Sequence, residues 1–340
     1  SFAIHLFIDA WPAGWMKSLM DVDRVPKKAW FTYRDALEPI MVNLRTDRYK
    51  FYTGETINIE AWLMNDLNIK PENYKIKYQL EKKGRVISAS EIDPIFPLNS
   101  SKFQGYINFK APKISKRSKY NLRMALFDNS GKGISESVIE IEVFPEIKSS
   151  NDLNVFTPNS EGKAASILTA LNVESKSDYS NSDVILIDDI SFYSDNKEQL
   201  DDLVQKGKTV VFLELPEGNF EIGKNEVIIE KTIMGQYYFV SPNTNHPIVN
   251  GTEPFDFKFW YDDSKELVTP LLSSMIKVET AKNNILNTGK TTWVDVEGTY
   301  AAAVELESGS GSYRICQLQL NGHIKSNPTA NQFAQALLAQ

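Results

Sequence analysis

Few side chains in this 340-residue sequence are of kinds that carry out chemistry. Its three histidines are His5, in an apolar run, His246, directly before Pro247, and His323, directly after Asn321-Gly322. An imidazole becomes a general base when a nucleophile lies within hydrogen-bond reach, and no Ser or Cys stands at a strand-to-helix elbow to serve as one. Each histidine therefore reads as structural. The single cysteine, Cys316, excludes an internal disulfide and a cysteine-built zinc centre. It sits in the strand-like run Tyr313 to Leu318 and reads as a buried thiol. Asp188 and Asp189 close an apolar run, and such a pair at a strand end holds a cation or caps a helix. No third ligand stands nearby, so capping is the expectation. Gly218 to Asn225 has the spacing of a phosphate-binding loop, yet Asn225 replaces the magnesium-binding hydroxyl and the strand-like Val227-Ile228-Ile229 follows instead of a helix. Trp260 and Tyr261, ahead of Asp262 and Asp263, are candidates for stacking on a sugar, with core packing the competing role for Trp260. These residues make up no catalytic constellation, no metal site and no cofactor site.

Composition narrows the remaining classes. The chain is 42% apolar, 24% charged and 11% aromatic, as in ordinary globular proteins. A net charge of −7 argues against non-specific nucleic-acid binding, which works by displacing counterions with a basic surface. The local basic run with Lys110, Lys113, Lys116, Arg117 and Lys119 reads as a solvated loop. No apolar stretch reaches the length of a membrane span.

The hydrophobic period changes along the chain and divides it into 1–37, 38–147 and 148–340. The first segment starts inside an apolar strand, Phe2 to Ile8, without a start methionine or the basic and small-residue features of a signal peptide. A helix begins at Pro26 and carries Ala29, Trp30, Tyr33, Ala36 and Leu37 on one face. One strand and one helix cannot bury each other, so this segment reads as the last βα unit of a larger barrel or sheet. Residues 38–147 alternate instead, with strands at Met41–Arg45, Ile57–Met64, Tyr74–Glu81, Val86–Ala89, Phe103–Phe109, Tyr120–Phe127 and Val138–Phe144. Short strands separated by turns without helices predict an immunoglobulin-like β-sandwich of the cysteine-free, fibronectin-like kind. Alternation leaves the face of Trp62 open between core packing, the expected role, and a sugar platform.

Residues 148–340 read as an α/β domain. Asp183–Asp188 and Thr209–Leu215 are apolar strands joined by a helix over Asp195–Lys206 that ends at Gly207, a βαβ unit implying a parallel sheet. Leu153–Phe156 and Gly162–Leu171 add a strand and a helix ahead of it. Further strands are expected at Val227–Glu230, Gln236–Val240, Phe257–Tyr261, Lys277–Glu279, Trp293–Asp295, Ala302–Glu307 and Tyr313–Leu320, the last two as a hairpin. A closing helix is expected with Asn327 as its cap, Pro328 at its first position, and Ala330, Phe333, Ala334, Leu337 and Leu338 as its buried stripe.

Two stretches, His5-Leu6-Phe7-Ile8-Asp9-Ala10-Trp11-Pro12-Ala13-Gly14-Trp15 and Asp23-Arg24-Val25-Pro26-Lys27-Lys28-Ala29-Trp30-Phe31-Thr32-Tyr33, resemble the end of the catalytic barrel of family 2 glycoside hydrolases, the β-galactosidase-like enzymes. Likewise, Val184 to Asp189, Leu203 to Val211 and Asn245-His246-Pro247-Ile248 make the last domain resemble the class I glutamine-amidotransferase-like domain of some β-galactosidases. The resemblance implies a multidomain chain: a barrel remnant, an immunoglobulin-like sandwich and a degenerate flavodoxin/amidotransferase-like α/β domain. A retaining glycosidase needs two carboxyl groups about 5 Å apart, and the family carries them as Glu on earlier barrel strands. The first Glu here is Glu38, beyond the strand. The implied role is that of a non-catalytic C-terminal region of a glycoside hydrolase, inactive alone, that supports the barrel, packs domains or mediates assembly. Amidotransferase chemistry is expected to be lost as well, because the turn after Leu215 reads Pro216-Glu217-Gly218.

The implied partners are the missing barrel of the same chain, carbohydrate and a second copy of the chain, with a bacterial periplasmic or secreted location. Asp9 and Trp11 lie where the parent's sugar pocket would be lined; Trp11 reads equally as stacking platform or packing, and Asp9 as a structural ion pair. The alternative is a carbohydrate-binding accessory module using Trp11, Trp260 or Tyr261.

Overall fold

A computed structural model describes residues 7–9, 18–147, 153–232, 240–279, 283–289 and 299–340. The chain forms two compact units, one of residues 1–46, 56–110 and 119–141, the other of residues 47–55, 111–118 and 142–340.

The first unit opens with residues 7–9 and 18–37. Ile8 bridges Met20 in parallel, and helix α1 (Lys28–Asp35) follows. None of the α1 residues is buried. Within the expected apolar stripe Trp30 and Tyr33 are half-buried and Ala29, Ala36 and Leu37 exposed, and the Phe7 and Trp30 rings meet edge to face at 5.6 Å. Strands β1 (Ile40–Arg45), β2 (Lys50–Tyr52), β3 (Thr56–Asn65), β4 (Lys75–Lys82), β5 (Arg85–Ile92), β6 (Ser100–Lys110), β7 (Ser118–Phe127) and β8 (Gly133–Phe144) come next in the chain, β2 and residues 142–144 of β8 counting with the second unit.

They form a three-stranded sheet, β1-β3-β6, and a five-stranded sheet, β2-β8-β7-β4-β5. This is the strand arrangement of an immunoglobulin-like sandwich, in which the first strand is split and its second part, β2, pairs in parallel with the last. Strand alternation supplies the core. Ile57, Ile59, Ala61 and Leu63 face inward from β3, as do Ile76, Tyr78 and Leu80 from β4 and Leu122, Met124 and Leu126 from β7. The outward backbone amides of β1 are satisfied by hydroxyls on β8, Val42 N donating to Ser135 Oγ (3.2 Å) and Leu44 N to Ser137 Oγ (3.1 Å). β2 is absent from the sequence reading because three residues are too few to show a period.

The second unit contains β9 (Val155–Phe156), α2 (Lys163–Ala170), β10 (Val184–Ile187), α3 (Ile190–Asp195), α4 (Lys197–Gln205), β11 (Thr209–Leu213), β12 (Gly218–Ile222), β13 (Asn225–Lys231), β14 (Tyr261–Asp262), β15 (Leu267–Val268), β16 (Ser274–Val278), β17 (Asn284–Thr288), β18 (Thr299–Ser308), β19 (Gly311–Cys316) and α5 (Pro328–Leu338). Its main sheet has the order β12-β13-β16-β18-β19-β11-β10-β9, with β17 on β18. β9, β10, β11 and β19 are mutually parallel, and the other half is antiparallel.

The parallel strands are buried on both faces, which is why they read as continuous apolar runs. Val184 and Leu186 of β10 pack toward Ala164 and Ile167 of α2 and Phe333 and Leu337 of α5, while Ile185 and Ile187 pack toward Leu200 and Val204 of α4. On the α4 side, Asp201 accepts hydrogen bonds from Tyr313 (2.5 Å) and Tyr193 (2.7 Å) and pairs with Lys197 (2.9 Å). Burial raises the Asp201 carboxyl pKa, but these hydrogen bonds outweigh it and hold the group below its ordinary range.

Gly218 to Asn225 forms the β12–β13 hairpin with its turn at Gly223-Lys224, in keeping with the strand-like run that follows it. Two expectations are corrected by this unit. Phe257–Tyr261 is not a strand. Pro254 opens a short 3-10 turn, Pro254–Phe257, closed by a capping box between Glu253 and Asp256. Asn327 precedes α5 without capping it; its side chain bonds Tyr261 N (2.9 Å) and Tyr261 O (2.8 Å) instead. The expected strand at Trp293–Asp295 and most of that at Gln236–Val240 lie outside the described residues.

The short segments 47–55 and 111–118 are anchored in the second unit by charge. Arg117 grips Asp256 with both terminal nitrogens (2.8 and 2.7 Å) and also donates to Glu142 (2.5 Å). Lys50 donates to Phe255 O (2.6 Å) and stands 3.7 Å from Asp256. Burial outweighs these carboxylates and lowers the Lys50 pKa. Arg48 holds Glu55 through two hydrogen bonds (2.5 and 3.0 Å) and donates to Ser326 O (3.1 Å).

Candidate functional site

The resemblance places site residues at the end of the first strand. Asp9 is 7% exposed, and Lys27 donates to its Oδ2 at 2.6 Å and to Ser18 Oγ at 2.5 Å. Hydrogen bonds from Lys27 and Ser18 hold the Asp9 carboxyl below its ordinary range. The pair joins the two resembling stretches, Asp9 in the first and Lys27 in the second, and fixes Asp9 against the helix start. This is the structural ion pair expected of Asp9. Trp11 and His5 lie outside the described residues.

The second group is Trp260 with Tyr261. Trp260 is fully buried, donates from Nε1 to Asp256 O (2.7 Å) and packs against Phe257 (5.9 Å between centroids) and His323 (5.8 Å). Its candidacy as a sugar platform is therefore corrected: the indole has no face in water. Phe259 turns the chain at φ 54°, which drops Trp260 into the core. Tyr261 is half-buried in β14, and its backbone is held by Ser326 and Asn327. His323, beside Trp260, faces Thr269 Oγ1 at 2.6 Å and Gln319 O at 2.6 Å. The order hydroxyl, imidazole, orienting carbonyl is that of a nucleophile–base pair, but Thr269 and His323 are 5% and 2% exposed. Burial lowers the His323 pKa and keeps the ring neutral, so the trio braces the core.

The third region is the carboxyl edge of the parallel strands, where α/β folds place ligands. Asp188 Oδ2 accepts from Ala164 N (2.9 Å) at the start of α2, and Asp189 accepts from Ser191 N (3.0 Å) at the start of α3. Both act as helix caps. Glu214 follows β11 with φ 47°, a conformation that costs a non-glycine residue of order 1–3 kcal/mol. The sharp turn thus lies earlier than Pro216-Glu217-Gly218. It carries a carboxylate paired with Lys163 (2.7 Å). Cys316 ends the neighbouring strand fully buried, and burial pushes its thiol up to about 12, so it holds no thiolate at neutral pH.

Sequence reasoning missed a fourth feature, a cavity of about 290 Å³ lined by Thr244, Asn245, His246, Asn284, Glu305 and Glu307 among others. His246 Nε2 lies 3.0 Å from Glu305 Oε2, and Glu305 Oε1 accepts from Arg314 (2.7 Å) and Ser312 (2.8 Å). Burial raises the Glu305 pKa, but Arg314 and Ser312 more than offset it and the net shift is downward. No group of three or more His, Cys, Asp or Glu side chains able to hold a metal occurs among the described residues.

No protein-family model matches this sequence, and no curated protein matches it. Among solved structures it is similar to a CARDB domain from Pyrococcus furiosus, solved in complex with di-metal ions, at 11% identity over 32% of this chain and 94% of that one, with a TM-score of 0.25. It is also similar to the fibronectin(III)-like modules of Clostridium thermocellum CbhA, at 15% identity over 32% of this chain and 100% of that one, with a TM-score of 0.21.

Proposed function

We propose that this chain is a non-catalytic accessory region of a β-galactosidase-like glycoside hydrolase, serving to close and support a catalytic barrel. The observation that carries the reading is the Asp9–Lys27 ion pair, which ties together the two stretches that resemble the end of that barrel. The exposed apolar residues of the same segment fit it: Phe7, Val25 and Phe31 are 44%, 56% and 49% exposed, the state of a βα unit whose neighbours are elsewhere. The parallel half of the second unit, with Glu214 at its sharp turn and Cys316 sealed in the core, fits an amidotransferase-like scaffold without its nucleophile.

The test has two arms. The chain alone, given p-nitrophenyl β-galactoside, is expected to release nitrophenol no faster than buffer. The coding sequence ahead of residue 1 is expected to specify a barrel with two strand-end Glu residues. Turnover by the chain alone, or an upstream sequence without such a barrel, overturns the proposal.

A further inference from the structure

The outer face of the three-stranded sheet carries an aromatic cluster with no assigned role. β3 alternates strictly: Ile57, Ile59, Ala61 and Leu63 point into the sandwich, and Asn58, Glu60, Trp62 and Met64 point out. Trp62 is therefore not the core residue expected from the sequence. Its ring lies 5.3 Å from Phe103, which lies 5.1 Å from Tyr106, and Tyr106 is 60% exposed.

Phe103 and Tyr106 are an odd number of residues apart on one strand and would ordinarily face opposite sides. The register between β3 and β6 shifts here, with Ala61 opposite Gly105 and Trp62 opposite Phe103, so that Gln104 is the extra residue of a β-bulge. Gly105 takes φ 106°, a value open to glycine, and the Gln104 amide bonds Ile95 N (2.9 Å) and Ile95 O (3.0 Å). The bulge returns both rings to the outer face. Bulges that re-aim a side chain are recurrent next to functional sites.

Polar groups bracket the rings. Trp62 Nε1 donates to Glu60 Oε2 (2.8 Å), Arg45 stands 3.5 Å from the same oxygen, and Asn43 lies opposite Trp62 on β1. The indole is thus fixed in orientation, and a ligand need not immobilise it. The core of a protein–protein interface is depleted of charge, whereas here the rings alternate with a carboxylate, a guanidinium and an amide. That mixture matches a pyranose, whose C–H face lies on an aromatic ring while its equatorial hydroxyls reach the flanking polar groups. The rings are inclined by 51° and 75°, a stepped surface that follows one twisted chain and not a flat crystalline face. Glu60 and Arg45 balance in charge, which favours a neutral sugar.

We infer that Trp62, Phe103 and Tyr106, with Glu60, Arg45 and Asn43, form a binding platform for neutral, soluble oligosaccharides. The site stands on the first unit alone and holds whether or not the chain belongs to a glycoside hydrolase. The experiment is affinity electrophoresis of the full chain in gels containing galactan, mannan, xylan or mixed-linkage glucan. At least one polysaccharide is expected to retard the protein. Trp62→Ala and Tyr106→Ala should each weaken that retardation about tenfold, the equivalent of about 1.4 kcal/mol. Tyr106→Ala alters an exposed ring and should leave the thermal midpoint unchanged, which separates loss of binding from loss of fold. Three outcomes overturn the inference: no retardation by any polysaccharide, retardation indifferent to both substitutions, or self-association that Tyr106→Ala abolishes, which would make the face a protein interface.

Discussion

Replacing Asp256 with Asn tests how the second unit secures segments 47–55 and 111–118. Asp256 is 1% exposed and takes both terminal nitrogens of Arg117, with Lys50 at 3.7 Å and Glu253 N at 2.8 Å. The amide keeps the shape of the side chain and leaves Asp256 O in place for Trp260 and Thr329. Its missing charge leaves two cations with Glu142 and the more exposed Glu253, 3.7 Å from Arg117. Removing one partner of a buried pair costs about 3–5 kcal/mol. Arg117 retains 21% exposure, so solvent recovers part of its hydration and the lower end applies. At about 2–4 °C per kcal/mol for a unit of this size, Asp256→Asn should lower the midpoint of thermal unfolding by roughly 6–12 °C. Urea unfolding followed by tryptophan fluorescence is a suitable assay, since Trp260 donates its indole hydrogen bond to this residue. The apolar double variant Arg117→Met/Asp256→Leu should recover much of the loss, because the cost lies in the orphaned charge more than in the missing attraction. Destabilisation below about 1 kcal/mol by Asp256→Asn, or a double variant as unstable as the sum of its singles, would refute this reasoning.

Stability of the second unit should also depend on His323. Its folded pKa is lowered from 6.5 by burial, so the unfolded chain takes up a proton that the folded chain resists; stability is complete above about pH 6.5 and declines as pH falls below it. Unfolding midpoints between pH 7 and 5 should fall less steeply in His323→Gln than in the parent, and an identical slope would contradict the assignment. Phe333→Ala opens a hole beside Phe257, whose ring meets it at 5.3 Å, and should cost about 3–5 kcal/mol by urea unfolding. Gly162→Ala would place a methyl carbon 2.2 Å from Asp188 Oδ2 and break the cap on α2, for a loss of about 1–3 kcal/mol in the same assay.

Much of the architecture was written in local pattern. Alternation located β1 and β3–β8, and the parallel strands β10 and β11 showed as unbroken apolar runs because helices cover both faces. What escaped was set by distant partners. Arg117 read as one charge in a solvated basic loop, and its carboxylate lies 139 positions away. The sequence pattern left the face of Trp62 open with core packing expected, and its outward turn, with the bulge at Gln104-Gly105 that gathers Phe103 and Tyr106 beside it, is set by the pairing with β6 and has no signature in β3 itself. The strain at Glu214 was likewise hidden, since Glu carries none of the backbone freedom that marks a sharp turn.

The long reach of those anchors shapes how the chain is made. Arg48 can pair with Glu55 as soon as both leave the ribosome, but Ser326, its other partner, lies 278 positions later. At about 5–20 residues per second that interval is roughly 14–56 s, and Lys50 and Arg117 spend a good part of it awaiting Asp256. The cations Arg48, Lys50 and Arg117 must stay hydrated until those later partners are made, so the same charges that solvate the growing chain later fix the folded one.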